Sequence, residues 1–436
     1  MATHIFNSKP RQRDWEDIME IITLSNGLRI AMEQMEQARS AAVSIFIGAG
    51  SRQEAAADAG VSHFIEHMLF KGSESRSAVE IAEQMDAMGG QLNAYTTKEY
   101  TCLYAQALEN HLPAALEIMS DMLRNPKLDK ADLLVERGVI LEEIGMYEDS
   151  PEDFCADLLH ASVWRSDPLG GNILGTRQTV SAMTAEKLRR HMERCYVPER
   201  MTVGVCGRFD ADAVCAILEK YFGGLANTGN PLLPQPVGFH EGITLAERDF
   251  EQTQLLYCFE GLPAGDKDRY AAAVFSTIAG GSASSRLNRR IREELGLAYS
   301  VYSFTSSYLG AGIFGVGAGV SPENQRQVLE ESMEILLALR DGVDEKELAR
   351  TKEQFKANLV MGMESTASRA AAMGRGLLLE NRYVDEDAIL AQIDALTEAD
   401  IQRVARHLVT PSRMALAAVG HPAEEKQYVH WLRKFR

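Results

Sequence analysis

The stretch LDKADLLVERGVILEE, residues 128–143, has a counterpart in VDEKELARTKEQFKAN, residues 343–358: Asp129 and Asp344 coincide when the chain is slid by 215 residues, about half its length. Working outward, the text before each copy matches in kind. In the first half a strand (SAAVSIFIGAGS, 40–51) leads to helical patterns at about 58–71 and 77–90. Two strands follow (QLNAYTTKEYTCLYAQAL, 91–108), then a helix at 109–126. In the second half a strand (TQLLYCF, 253–259) leads to a helix (DRYAAAVFSTIAGG, 268–281) and a strand pair across 297–320. A period this long marks duplication of a whole domain, not a solenoid. Between the copies, GGLANTGNPLLPQPVGFHEG (223–242) is dominated by Gly, Pro and Asn, the composition of a linker. The reading predicts an N-terminal domain over 1–225, a linker over 226–242 and a homologous C-terminal domain over 243–436. Strands grouped apart from helices predict an α+β class, with mostly antiparallel or mixed sheets and helices on one face.

Smaller signals agree. Asn26-Gly27 between β-prone runs in ITLSNGLRIAMEQ (22–34) predicts a hairpin. Ser77 with Glu80 three residues later has the capping-box pattern, and Gly89-Gly90 closes that helix. Residues 295–322 carry no formal charge, but the alternation AYSVYSFTSS predicts strands there, not a membrane span.

Composition narrows the function. The 436 residues are 45% hydrophobic and 25% charged, an ordinary globular balance. Sixty-two acids against 45 bases give a formal net charge of −17, with no Lys/Arg block, so nucleic acid is not an expected partner. Six scattered cysteines without a CxxC pair argue for buried thiols in a reducing cytoplasm. The first residues, MATHIFNSKPRQRDWEDIMEI, lack an apolar export segment, so neither export nor membrane association is expected.

The chemistry is concentrated in VSHFIEHMLFKG, residues 61–72. His63 and His67 are four apart on a helix and leave the same face, so both can grip one ion. Glu66 shares that face and can reach a water there. Two neutral imidazoles suit Zn²⁺, and a catalytic zinc takes three protein ligands plus one open position. The helix at 132–145 offers the third: Glu136 and Glu143, seven apart, fall within about 20° of one face, whereas Glu142 is turned about 100° away. One of the aligned acids can coordinate, and the other can hydrogen-bond a ligand histidine.

These segments resemble the pitrilysin-type zinc peptidases, in the branch that contains mitochondrial processing peptidase and its bacterial relatives. The inverted motif H-x-x-E-H marks that class. HFIEHMLFKGS, GGQLNAYTTKEYT, ERGVILEEI, ILGT and GGSASSRL…REELGLAYSVYS follow in family order across nearly the whole chain. The resemblance implies one zinc per chain on His63, His67 and Glu143, with Glu66 as general base and Glu136 as the auxiliary acid. It implies that the segment containing Asn93 and Ala94 binds an extended peptide at the cleavage point. Arg292 and Tyr299 match the family's Arg-x6-Tyr pair, which approaches the scissile carbonyl and holds substrate. The second half has no H-x-x-E-H, so one zinc site is expected. The implied activity is a zinc endopeptidase acting on unstructured peptides or precursor N-termini in an enclosed chamber built by a homodimer; a heterodimer with an inactive relative is the variant. The alternatives are a non-catalytic or partner-dependent subunit and a zinc hydrolase of small molecules.

Overall fold

A computed structural model describes residues 19–165, 167–233, 236–383 and 385–435. The N-terminal segment read above for export signals lies almost wholly outside these residues, as do two residues of the expected linker.

Eleven strands are present among the described residues: β1 (Met19–Thr23), β2 (Arg29–Gln34), β3 (Ser40–Ile47), β4 (Gln91–Thr96), β5 (Thr101–Leu108), β6 (Met201–Gly207), β7 (Gly242–Glu247), β8 (Thr253–Glu260), β9 (Ala298–Tyr308), β10 (Ala311–Val320) and β11 (Met414–Gly420). They form two sheets, ordered β1-β2-β6-β3-β5-β4 and β7-β11-β8-β10-β9. The β1–β2 hairpin turns at Asn26-Gly27, where Gly27 takes φ +97°. Leaving β1 aside, the sheets are copies: β2 runs parallel to β6 as β7 does to β11, and every other neighbouring pair is antiparallel. Asp129 and Asp344 also do the same work, each accepting first-turn N–H groups at the start of a long helix, Lys130–Asp149 and Glu345–Met363.

The expectation of helices on one face is corrected. Helix Thr366–Glu380, from the second half, lies on β2, β3 and β6 of the first sheet, while helix Pro151–Val163, from the first half, lies on β8 and β11 of the second. Ala370, Met373 and Leu377 pack against Ala31, Ala42 and Cys206. In exchange, Cys155, Leu159 and Val163 pack against Leu256, Cys258 and Ala417. The first contact is close because Gly204 has no side chain: a methyl there would overlap the carbonyl oxygen of Ala370. Thr202 Oγ1 donates to Gly374 O at 2.7 Å beside it. Both faces of the central strands are therefore apolar. In β3, Val43, Ile45 and Ile47 face the main core of the first half, while Ala42 and Phe46 face the crossing helix.

The halves also meet at their turns. Glu99, in the β4–β5 turn, accepts the N–H of Leu309 on both carboxylate oxygens (3.0 and 3.1 Å), and Arg52 donates to Leu309 O at 2.6 Å. Arg52 and Glu99 are themselves paired at 2.7 Å. Strands β4 and β9 are the outermost strands on corresponding sides of the two sheets.

Candidate metal centre

Helix Val61–Leu69 owes its place to one face: Val61, Phe64, Ile65, Met68 and Leu69 are fully buried in the first core. That anchoring turns His63, Glu66 and His67 toward the neighbouring helix Lys130–Asp149, against which the short helix packs. On the longer helix Leu133, Glu136, Ile140 and Ile144 are buried, so an acid occupies one of four inward positions.

Three side chains converge between these helices. Oε2 of Glu143 lies 3.6 Å from Nε2 of His63 and 3.6 Å from Nε2 of His67. The ligand atoms of His63, His67 and Glu143 all lie within 4.8 Å of one another, and these residues form the one such His/Cys/Asp/Glu group among the described residues. Two imidazole nitrogens and one carboxylate oxygen are the donor set of a catalytic zinc, so the residues fit the ion that the motif implies.

Glu136 takes the other role. Its Oε2 accepts from Nδ1 of His67 at 2.9 Å, and its second oxygen receives Lys71 Nζ at 2.6 Å. With the Nδ1 proton held there, His67 keeps Nε2 free as a ligand atom. The electrostatics differ between the two rings. Burial and the neighbouring His67 push His63 down to about 4, so it stays neutral. Burial acts against the charge of His67 too, but the neighbouring Glu143 and Glu136 carboxylates win and raise it. The neighbouring His67 and His63 rings hold the Glu143 carboxyl below its usual range. Glu136 is lowered against its burial by Lys71 and His67.

Burial pushes the Glu66 carboxyl up, opposed by the hydroxyl of Thr96, which donates to Oε2 of Glu66 at 2.5 Å. Thr96 and Lys71 were not singled out from sequence. The signal for Thr96 was the period of two in QLNAYT, which puts it on the face of Ala94. For Lys71 it was the four-residue step from His67.

The remaining candidates are on other elements: Asn93 and Ala94 on β4, which packs against the histidine helix, and Arg292 and Tyr299 in the second half. Asn93 and Ala94 sit in β4, which pairs with β5 alone; Ala94 turns into the core, and the exposed Asn93 bonds the backbone N–H of Ala94 at 2.8 Å. Tyr299 is 80% exposed, and the Arg292 guanidinium stands 5.1 Å from its ring centroid. Among the described residues neither forms a hydrogen bond or ion pair with the metal cluster. Both occupy irregular backbone: Arg292 is in a π-helical turn, Asn288–Glu294, and Tyr299 is the extra residue where the β9–β10 register slips between Gly319 and Val320. Such irregularities re-aim side chains and gather at functional sites.

Residues 29–177 match the family described as insulinase (peptidase family M16), and residues 182–355 match the M16 inactive domain. The chain is 39% identical over 399 residues to a protein of Bacillus subtilis named uncharacterized zinc protease YmxG, covering 91% of this chain and 97% of that one. A Streptomyces coelicolor protein named as an uncharacterized zinc protease is 38% identical over 414 residues, 93% of this chain and 90% of the relative. Among solved structures, a protease from Helicobacter pylori superposes with a TM-score of 0.86 at 22% identity, over 92% of this chain and 99% of its own. A chain of complex III2 from Candida albicans gives 0.83 at 20% identity, over 95% and 99%. At those identities the two structures speak for a shared fold.

Proposed function

The chain belongs to the insulinase-type M16 family of metallopeptidases, and on that premise we propose that it is a zinc-dependent endopeptidase with one zinc per chain, cutting extended peptides. The observation that carries this reading is the convergence of His63, His67 and Glu143 beside the Glu66 carboxylate. Zinc bound there supplies polarisation of the scissile carbonyl and acidification of water.

The chain's own residues do the rest. Glu66, whose carboxyl burial holds above the usual carboxylate range, takes the proton of the attacking water and returns it to the leaving amine. Thr96 holds that carboxylate in place. Glu136 orients His67. The free edge of β4, with Asn93 and Ala94 along it, receives the peptide as an added strand, which reads backbone more than sequence. Tyr299 donates to the oxygen on which negative charge develops, and Arg292, stacked on its ring, steadies it and the substrate.

The second half carries VFSTIAGG where the first carries its histidines, in accord with its match to an inactive domain. Two copies of the chain enclose the peptide as a homodimer; pairing with a motif-less relative is the variant. No helix among the described residues is long and apolar enough to cross a membrane, and with its six free cysteines the protein is proposed to work in the cytoplasm.

The test is cleavage of a mixed peptide pool of graded lengths, followed by mass spectrometry, for the wild type and Glu66→Gln. Chelator-sensitive cleavage by the wild type alone supports the reading. No cleavage by a zinc-loaded wild type transfers it to the non-catalytic subunit.

A further inference from the structure

Helix Val61–Leu69 starts at Gly60, which has no side chain to cap it and is held at φ +88°. A local cap is excluded by space, since a Cβ there would lie 2.5 Å from Leu174 O. The cap comes from Glu54 instead: Oε2 accepts the N–H of Gly60 at 2.6 Å, and Oε1 accepts the N–H of Ser62 at 2.8 Å. Glu54 is 8% exposed and directly follows the short turn Ser51–Gln53, whose Arg52 grips Leu309 of the second half.

We propose that Glu54 is a positioning residue for the metal centre, setting the start and rotational phase of the helix and through them the direction of His63. This rests on the reading that His63, His67 and Glu143 hold zinc. The two histidines differ in how they are steered. Glu136 grips the ring of His67, whereas Nδ1 of His63 is buried with no hydrogen-bond partner among the described residues. The aim of His63 therefore depends on its backbone, and the residue before it is Ser62, one of the two that Glu54 anchors. Ser62 is held from its other side as well, its Oγ lying 3.2 Å from Nε2 of His191.

A helix that needed a cap alone would take Ser, Thr, Asp or Asn at its own first position. A distant carboxylate is the more expensive solution. Burial drives Glu54 up to about 7, with the Ser62 and Gly60 N–H groups pulling it down and the charge of Asp58 adding to the rise. What it gains is a rigid link between the histidine helix and the turn that meets the second half.

Glu54→Gln keeps the shape and removes the charge and one of the two acceptors. In the full-length variant, zinc affinity measured against a chromophoric chelator is expected to fall about tenfold or more, the loss typical of residues that orient ligands. The visible spectrum of the cobalt-substituted protein shifts, and kcat falls by a similar factor while KM is unchanged. Glu54→Asp, one methylene shorter but charged, recovers part of each loss. Wild-type affinity, spectrum and kcat in Glu54→Gln would overturn the assignment. So would failure of both variants to fold by circular dichroism, because Glu54 would then belong to the fold as a whole. A wild type that binds zinc and cleaves nothing defeats the peptidase reading alone, and affinity and spectrum still decide on Glu54.

Discussion

Thr96 and Glu66 join the outermost strand of the first sheet to the acid of the histidine helix: the threonine hydroxyl donates to the carboxylate at 2.5 Å. The strand proposed to take the peptide therefore also holds the proposed base, so substrate and base share one reference frame. Glu66→Gln should retain zinc and lose turnover by about 10²–10⁴-fold, the range for a positioned acid–base group. Metal analysis beside a peptide assay checks this; loss of zinc would make Glu66 a ligand.

Glu136 and Glu143 should separate in a metal titration. Glu136→Gln leaves three ligands but frees the His67 ring and Lys71, and should weaken zinc by about 10–100-fold. Glu143→Gln removes a ligand and should cost more. Equal affinities for Glu143→Gln and wild type would pass the ligand role to Glu136.

Tyr299→Phe and Arg292→Ala should lower kcat with zinc content unchanged. Loss of one oxyanion donor typically costs about 10²–10³ in kcat. A normal rate in Tyr299→Phe takes the tyrosine out of the mechanism, however well its bulge presents it.

Glu54 predicts a pH signature in stability. Its carboxyl rises from the usual 4.5 to about 7 in the folded chain, so the protonated form is the one that folding favours. Its contribution is fully present below pH 4.5 and is lost as pH climbs through 7. Glu54→Gln cannot titrate, so its stability relative to wild type should rise between those pH values and level off above, by up to about 3 kcal/mol. Thermal melts at pH 4.5, 6, 7 and 8 test the sign; a flat difference contradicts it.

Gly204→Ala should destabilise the fold by about 1–3 kcal/mol or more, as overpacking does, because the added methyl meets the Ala370 carbonyl of the crossing helix. Urea unfolding of the metal-loaded protein reads this directly. An unchanged midpoint would mean that helix Thr366–Glu380 can shift outward without loss.

His63, Glu66 and His67 were legible as a set because their spacing is local: three- and four-residue steps on a helix fix a shared face whatever surrounds it. Helix geometry made Glu136 and Glu143 legible only as a pair on one face, and the family resemblance alone told ligand from auxiliary acid. What separates them is depth, Glu136 being 4% exposed and bound to Lys71, and depth depends on tertiary packing. The exchanged helices were missed because each helix was credited to its own half. Yet MTVGVCG and MALAAVG, the strands β6 and β11, lack the polar alternation of a sheet with one wet face, and such runs mark strands covered on both sides. Glu54 left no trace at all. Its reach to Gly60 crosses irregular turns, where sequence has no period to read.

The crossed helices bear on how far the chain can be divided as well as on its stability. Since each half lends the other a helix, neither is a removable module, and trimming the chain to its histidine-bearing half would strip one face from that half's own sheet. A single copy of the repeat, on its own, would present the same bare surface. Pairing with a twin would cover it, and in this chain the linker keeps the two copies joined in that embrace.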